Sequence, residues 1–87
     1  MRKHYSRILK NYFYESLIHT RHDLGITQEE MAFRLSMACR TYIDLDHGKT
    51  GCSAVTLALY LVYLCKDPLA FISGLRNAFE EGLDDVA

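Results

Sequence analysis

The chain has 87 residues, of which 49% are apolar and 24% charged. That length accommodates one domain, and that apolar fraction excludes an intrinsically disordered chain. Ten Lys and Arg against eleven Asp and Glu leave a formal charge of −1, which excludes a uniformly basic surface and makes the distribution of charge the informative quantity.

The basic charge is amino-terminal. Arg2, Lys3, Arg7 and Lys10 all precede the first acid, Glu15. This start is followed by Tyr12-Phe13-Tyr14-Glu15, not by an apolar stretch with a cleavage site, so no signal peptide is expected. From about Tyr5 to Asp23, the residues Ile8, Leu9, Tyr12, Phe13, Leu17 and Ile18 recur at helical spacing and predict a first helix with one apolar face. Its basic front end is placed to meet a phosphate or a protein partner.

Gly25 suits a helix end, because it adopts a left-handed backbone at little cost. Two positions later Thr27 has the character of an N-cap, with Glu30 at capping-box spacing, so a second helix should begin at Gln28. Met31, Ala32 and Leu35 then share one face, while Gln28, Glu29 and Arg34 point outward. Ser36-Met37-Ala38 leaves room for a tight turn. Met37, Thr41, Tyr42 and Leu45 continue the inner face on a second short helix, which Gly48 closes. Two short helices across a tight turn form a layout that presents one helix to a duplex.

Arg21, the run Leu24-Gly25-Ile26-Thr27-Gln28-Glu29-Glu30-Met31-Ala32, then Leu35, Leu45, Asp46 and Gly48-Lys49 together resemble the Xre/Cro/C1 family of helix-turn-helix regulators. The resemblance covers roughly residues 17 to 65. It implies an all-α, five-helix, lambda-repressor-like domain in which Gln28 touches a phosphate. It also implies that residues 38 to 46 lie in the major groove, with Cys39, Arg40 and Asp44 at base edges and Ala38, Thr41 and Ile43 beside them. A buried ion pair between Arg21 and Asp46 is implied as well, Asp46 being shorter than the glutamate usual there. Tyr42 stands where the family prefers an aliphatic residue; its ring is expected in the core with its hydroxyl reaching the surface.

Among these residues Arg40 is the strongest reader, since a guanidinium bonds guanine O6 and N7 together, a pairing worth about 1–3 kcal/mol of discrimination. The alternative is a local ion pair with Asp44 at i, i+4 spacing. Asp44 would repel phosphate unless it accepts from the exocyclic amine of cytosine, and Cys39 would at most brush a thymine methyl or a sugar. Beyond the third helix, His47, Lys49 and Thr50 suit phosphate contact.

Ser53 then caps a fourth helix, from Val55 to Leu64, that has almost no polar face and must be covered by its own fold or by another copy. The apolar run from Ala54 to Cys65 is too short to cross a bilayer. Asp67-Pro68 marks the start of a fifth helix, about 68–81, in which Leu69, Ile72, Leu75 and Phe79 form a stripe that ends at Gly82. This stripe is the natural dimer element; the alternative is that it closes the monomer core. Lys66 to Ala87 holds two basic residues against Asp67, Glu80, Glu81, Asp84 and Asp85, an acidic end opposed to the basic start.

Cys39, Cys52 and Cys65 form an odd set without paired spacing, consistent with a reduced, cytoplasmic setting. A zinc site from Cys39, His47 and Cys52 would lack both a Cys-x-x-Cys pair and a fourth ligand, so no metal or other cofactor is expected. The four His are scattered, no glycine-rich phosphate loop occurs, and no Ser or Cys has a base at recognisable spacing, so an enzyme is not expected. The sequence therefore predicts a homodimeric DNA-binding regulator recognising a short inverted repeat. Its rivals are a helix-turn-helix fold reused to bind protein, as in an antitoxin-like or phage-encoded inhibitor, and a purely structural oligomerisation domain.

Overall fold

With no glycine before Gly25 and no proline before Pro68, nothing interrupts the first helix, and α1 runs from Arg2 to Leu24, beyond the predicted start at Tyr5. The computed structural model describes residues 2–51 and 53–86. After α1 come α2 (Gln28–Arg34), α3 (Cys39–Asp46), α4 (Ala54–Leu59) and α5 (Pro68–Val86), with no strand among the described residues. The protein is all-α.

Ser53 caps α4 as expected, its Oγ accepting from the Thr56 amide at 3.1 Å. The apolar sequence that follows does not form one regular helix. After Leu59 the chain widens into a π-helical turn, Tyr60–Leu64, closed by a bond of 2.8 Å from the Cys65 amide to the Tyr60 carbonyl. Tyr60 and Thr56 are buried there while Val62 and Tyr63 remain exposed, so the segment is covered on one side only. No helix among the described residues is long and apolar enough to cross a membrane.

The core draws Phe13 and Leu17 from α1, Met31, Ala32 and Leu35 from α2 and its end, Tyr42 and Leu45 from α3, then Tyr60 and Phe71. Its aromatic part packs edge to face, with ring centroids 5.2 Å apart for Phe13 and Tyr60 and 5.0 Å apart for Tyr12 and Phe71. Tyr60 anchors the π-helical turn to α1 through a hydrogen bond of 3.0 Å between its hydroxyl and that of Thr20.

Helices α1 and α5 lie antiparallel: Tyr12 meets Phe71 and Tyr5 meets Phe79, with centroids 5.0 Å apart in both pairs. Two glycines allow the close approach. A Cβ at Gly74 would collide with the Tyr12 hydroxyl, which donates to the Phe71 carbonyl at 2.8 Å, and a Cβ at Gly82 would collide with Ile8. Gly82 is therefore a contact point inside α5 and does not end it as the sequence predicted. His4 reinforces the contact, its Nε2 donating to the Gly82 carbonyl at 2.7 Å while Nδ1 accepts from Arg7.

The predicted stripe on α5 is also divided. Leu75 packs against the core and Phe79 meets Tyr5 edge to face, whereas Leu69 and Ile72 stay 78% and 53% exposed. The inward arc is set by Phe71 and its helical neighbours Leu75 and Ala78, and Leu69 lies well round the helix from it. Leu75 and Phe79 thus close the monomer and do not offer a free dimer surface.

Candidate nucleic-acid interface

Local chemistry marks the ends of α2 and α3. Thr27 is extended and its Oγ1 accepts from the Glu30 amide at 3.1 Å, as an N-cap should. The Glu30 carboxylate accepts from Arg34 Nε at 3.2 Å, so its partner lies one turn ahead in α2 and not back at the cap.

Helices α1, α2 and α3 end in the same way. In each, the amide of one residue reaches back three positions and the next amide reaches back five: Gly25 to His22 and Ile26 to Arg21, Ser36 to Phe33 and Met37 to Ala32, Gly48 to Leu45 and Lys49 to Asp44. The pivot of such a motif is left-handed. Gly25 and Gly48 take φ of 64° and 71° freely, but Ser36 takes φ of 55° with a side chain, a strained choice at the turn between the two short helices.

One carboxylate organises the inner side of this unit. Asp46, 4% exposed, accepts from the Tyr42 hydroxyl at 2.9 Å on Oδ1 and from Gln28 Nε2 at 3.0 Å on Oδ2, and Arg21 Nε lies 3.5 Å from Oδ1. The Arg21 contact is an ion pair without hydrogen-bond alignment, and that buried Nε has no other partner; its guanidinium also reaches the Ile26 carbonyl through Nη1 at 3.5 Å. The expected pair of Arg21 with Asp46 is therefore present but loose, and the Tyr42 hydroxyl supplies the closer bond to this short acid. Burial, then the Asp46 hydrogen bond and charge, push the Tyr42 hydroxyl pKa well above its ordinary value.

Three expectations are corrected by this arrangement. The Tyr42 hydroxyl is fully buried and does not reach the surface, because Asp46 lies one turn along the same face. Gln28, expected to point outward, is half-buried and turns to Asp46, to which Nε2 donates one hydrogen bond. Thr41 is exposed and not on the inner face, which Tyr42 and Leu45 occupy.

Opposite that inner face, Arg40 and Asp44 share the outer side of α3 with Ala38 and Thr41 nearby. Ala38, Arg40 and Thr41 are exposed, and Cys39, Ile43 and Asp44 are half-buried, Cys39 against the edge of the core. The local pair of Arg40 with Asp44 does not form: the ion pairs among the described residues join Arg21 to Asp46, Arg34 to Glu30 and Arg76 to Glu80. His47, Lys49 and Thr50 are exposed just beyond the end of α3. The structure thus leaves Ala38, Arg40, Thr41 and Asp44 along the outer side of α3 and His47, Lys49 and Thr50 in the loop that follows it.

The sequence reading also passed over Phe33, which is 78% exposed on α2. With Met37, Leu59 and Tyr63 it borders an open depression beside the start of α3. Helical spacing gave no sign of it, because an exposed aromatic on a short helix carries no periodic signature. Cys52 lies outside the described residues, and among the described residues no group of three His, Cys, Asp or Glu side chains converges to hold a metal.

No protein-family model, no curated protein and no solved structure matches this chain.

Proposed function

We propose that this protein is a sequence-specific duplex-DNA-binding regulator of lambda-repressor-like architecture, reading a short inverted repeat as a homodimer through the outer side of α3. The observation that carries this reading is Arg40, exposed and unpaired on a helix whose opposite face is locked by Tyr42, Leu45 and Asp46. A guanidinium held out on a rigid helix is the group best suited to read guanine in the major groove. The exposed Lys49 and Thr50 supply phosphate contacts beside it, which position the helix without selecting a base. The resemblance of residues 17 to 65 to Xre/Cro/C1 regulators supports the same reading.

The homodimer rests on Leu69 and Ile72, the exposed part of the predicted stripe, and a two-fold dimer would read half-sites about one helical turn apart. Selection from a random duplex pool at low and near-physiological salt tests the proposal. Enrichment of an inverted repeat whose retention weakens with salt is expected, and no enrichment at either salt would overturn it.

A second reading, a fold that binds protein, is favoured by one observation. Phe33 and Tyr63, 78% and 74% exposed, flank the depression beside α3, and apolar groups of that size on a small domain commonly meet a partner. Failure of the DNA selection, together with loss of a partner on Phe33→Ser, would favour this reading.

A further inference from the structure

We infer that Lys10 on α1 contacts the phosphate backbone of bound DNA alongside Lys49, so that the interface extends from α3 and its loop onto the first helix; this rests on the DNA-binding reading above. The loop that follows α3 lies directly against α1. A side chain at Gly48 would meet the Tyr14 ring at 3.6 Å, and about one turn earlier Ser6, Leu9 and Lys10 form a cleft with Gly51. Lys10 therefore borders the same short loop that carries Lys49 and Thr50.

The direction of Lys10 follows from helical geometry. Ile8 and Tyr12 mark the side of α1 turned to α5, since Ile8 lies under Gly82 and Tyr12 meets Phe71. Lys10 is two residues from each and so lies on the side of the helix turned away from α5. Its charge is free in the fold: none of the ion pairs among the described residues includes it, and residues 2 to 14 contain no acid. The side chain is half-buried, as suits a lysine whose stem lies along the protein with its ammonium in water.

The ligand this chemistry fits is a phosphodiester anion of the duplex backbone. An ammonium there neutralises a phosphate and releases a counterion without reading a base. Its effect should therefore appear in overall affinity and salt dependence, and not in sequence preference. This offers a physical role for a basic helix start in a chain whose net charge is −1.

The test titrates the full chain, Lys10→Gln and Lys10→Arg against a duplex retained in the selection and a scrambled duplex, over a series of salt concentrations. Thermal melts confirm that each variant is folded. Lys10→Gln is expected to weaken both duplexes by the same factor and to make the slope of log affinity against log salt shallower by about 0.9 for each Lys10, hence about 1.8 for a bound dimer. Lys10→Arg should keep the slope. An unchanged slope and affinity in folded Lys10→Gln, with the parent chain binding normally, would overturn the role of Lys10 alone. A parent chain that binds neither duplex at any salt would overturn both this role and the DNA-binding reading.

Discussion

Around α3, three side chains from three helices converge on the single buried carboxylate of Asp46, whereas α1 and α5 meet through aromatic rings and two glycines. The difference teaches how each contact sets geometry. A polar hub fixes direction, because each donor must point at an oxygen, and it is fragile because loss of one partner strands the others. An aromatic contact notched by glycine fixes distance, and it tolerates little added volume. Helix α3 is held by the directional kind.

The largest break in this comparison is Asp46→Ala, which leaves the Tyr42 hydroxyl, the Gln28 amide and the Arg21 guanidinium without their shared acceptor. A loss of about 3–5 kcal/mol is expected in denaturant unfolding. Tyr42→Phe removes one bond to that carboxylate and should cost about 1.5–3 kcal/mol.

The same tyrosine gives a pH dependence. Its folded-state pKa is raised above the ordinary value of about 10, so the folded protein keeps a proton that the unfolded chain releases. The stability this contributes is present below pH about 10 and declines as pH rises beyond it; the burial-raised Tyr12 and Tyr60 act in the same direction. Unfolding free energy measured across that range should fall less steeply in Tyr42→Phe than in the parent.

On the other side of the comparison, Gly74→Ala inserts a Cβ against the Tyr12 hydroxyl. Overpacking should outweigh the gain in helix propensity and cost about 1–2 kcal/mol in a thermal or denaturant melt. Ser36→Gly has the opposite sign: it relieves a left-handed serine and should stabilise by about 0.5–1 kcal/mol. A destabilised Ser36→Gly would mean that the serine side chain contributes more than its backbone strain costs.

The segment from α2 through α3 was the most legible part of the sequence. Thr27, Gly25 and Gly48 act locally, and a short-range rule names their positions; Met31, Ala32, Leu35 and Leu45 follow from helical period alone. What was missed depends on neighbours distant in sequence. The inward turn of Gln28 and the burial of the Tyr42 hydroxyl are consequences of where Asp46 arrives, which periodicity does not encode. Gly82 reads as a helix stop in isolation, and only the approach of Ile8 gives it another role. Phe71 became the buried residue of α5 because Tyr12 and Tyr60 meet it, although Leu69 and Ile72 carry equally apolar side chains. The π-helical turn at Tyr60–Leu64 has no mark in the sequence, since its residues suit an α-helix as well.

The outer side of α3 stands apart from both kinds of contact, and Arg40 tests it most directly. The decisive measurement is the duplex selection run in parallel with the parent chain and with Arg40→Ala, after confirming that the two unfold within about 0.5 kcal/mol of each other, as expected for an exposed, unpaired residue. The expected result is an inverted repeat enriched by the parent, with the preference for one guanine in each half-site lost in the variant. An identical preference in both proteins, or none in the parent, would contradict a reading role for this face.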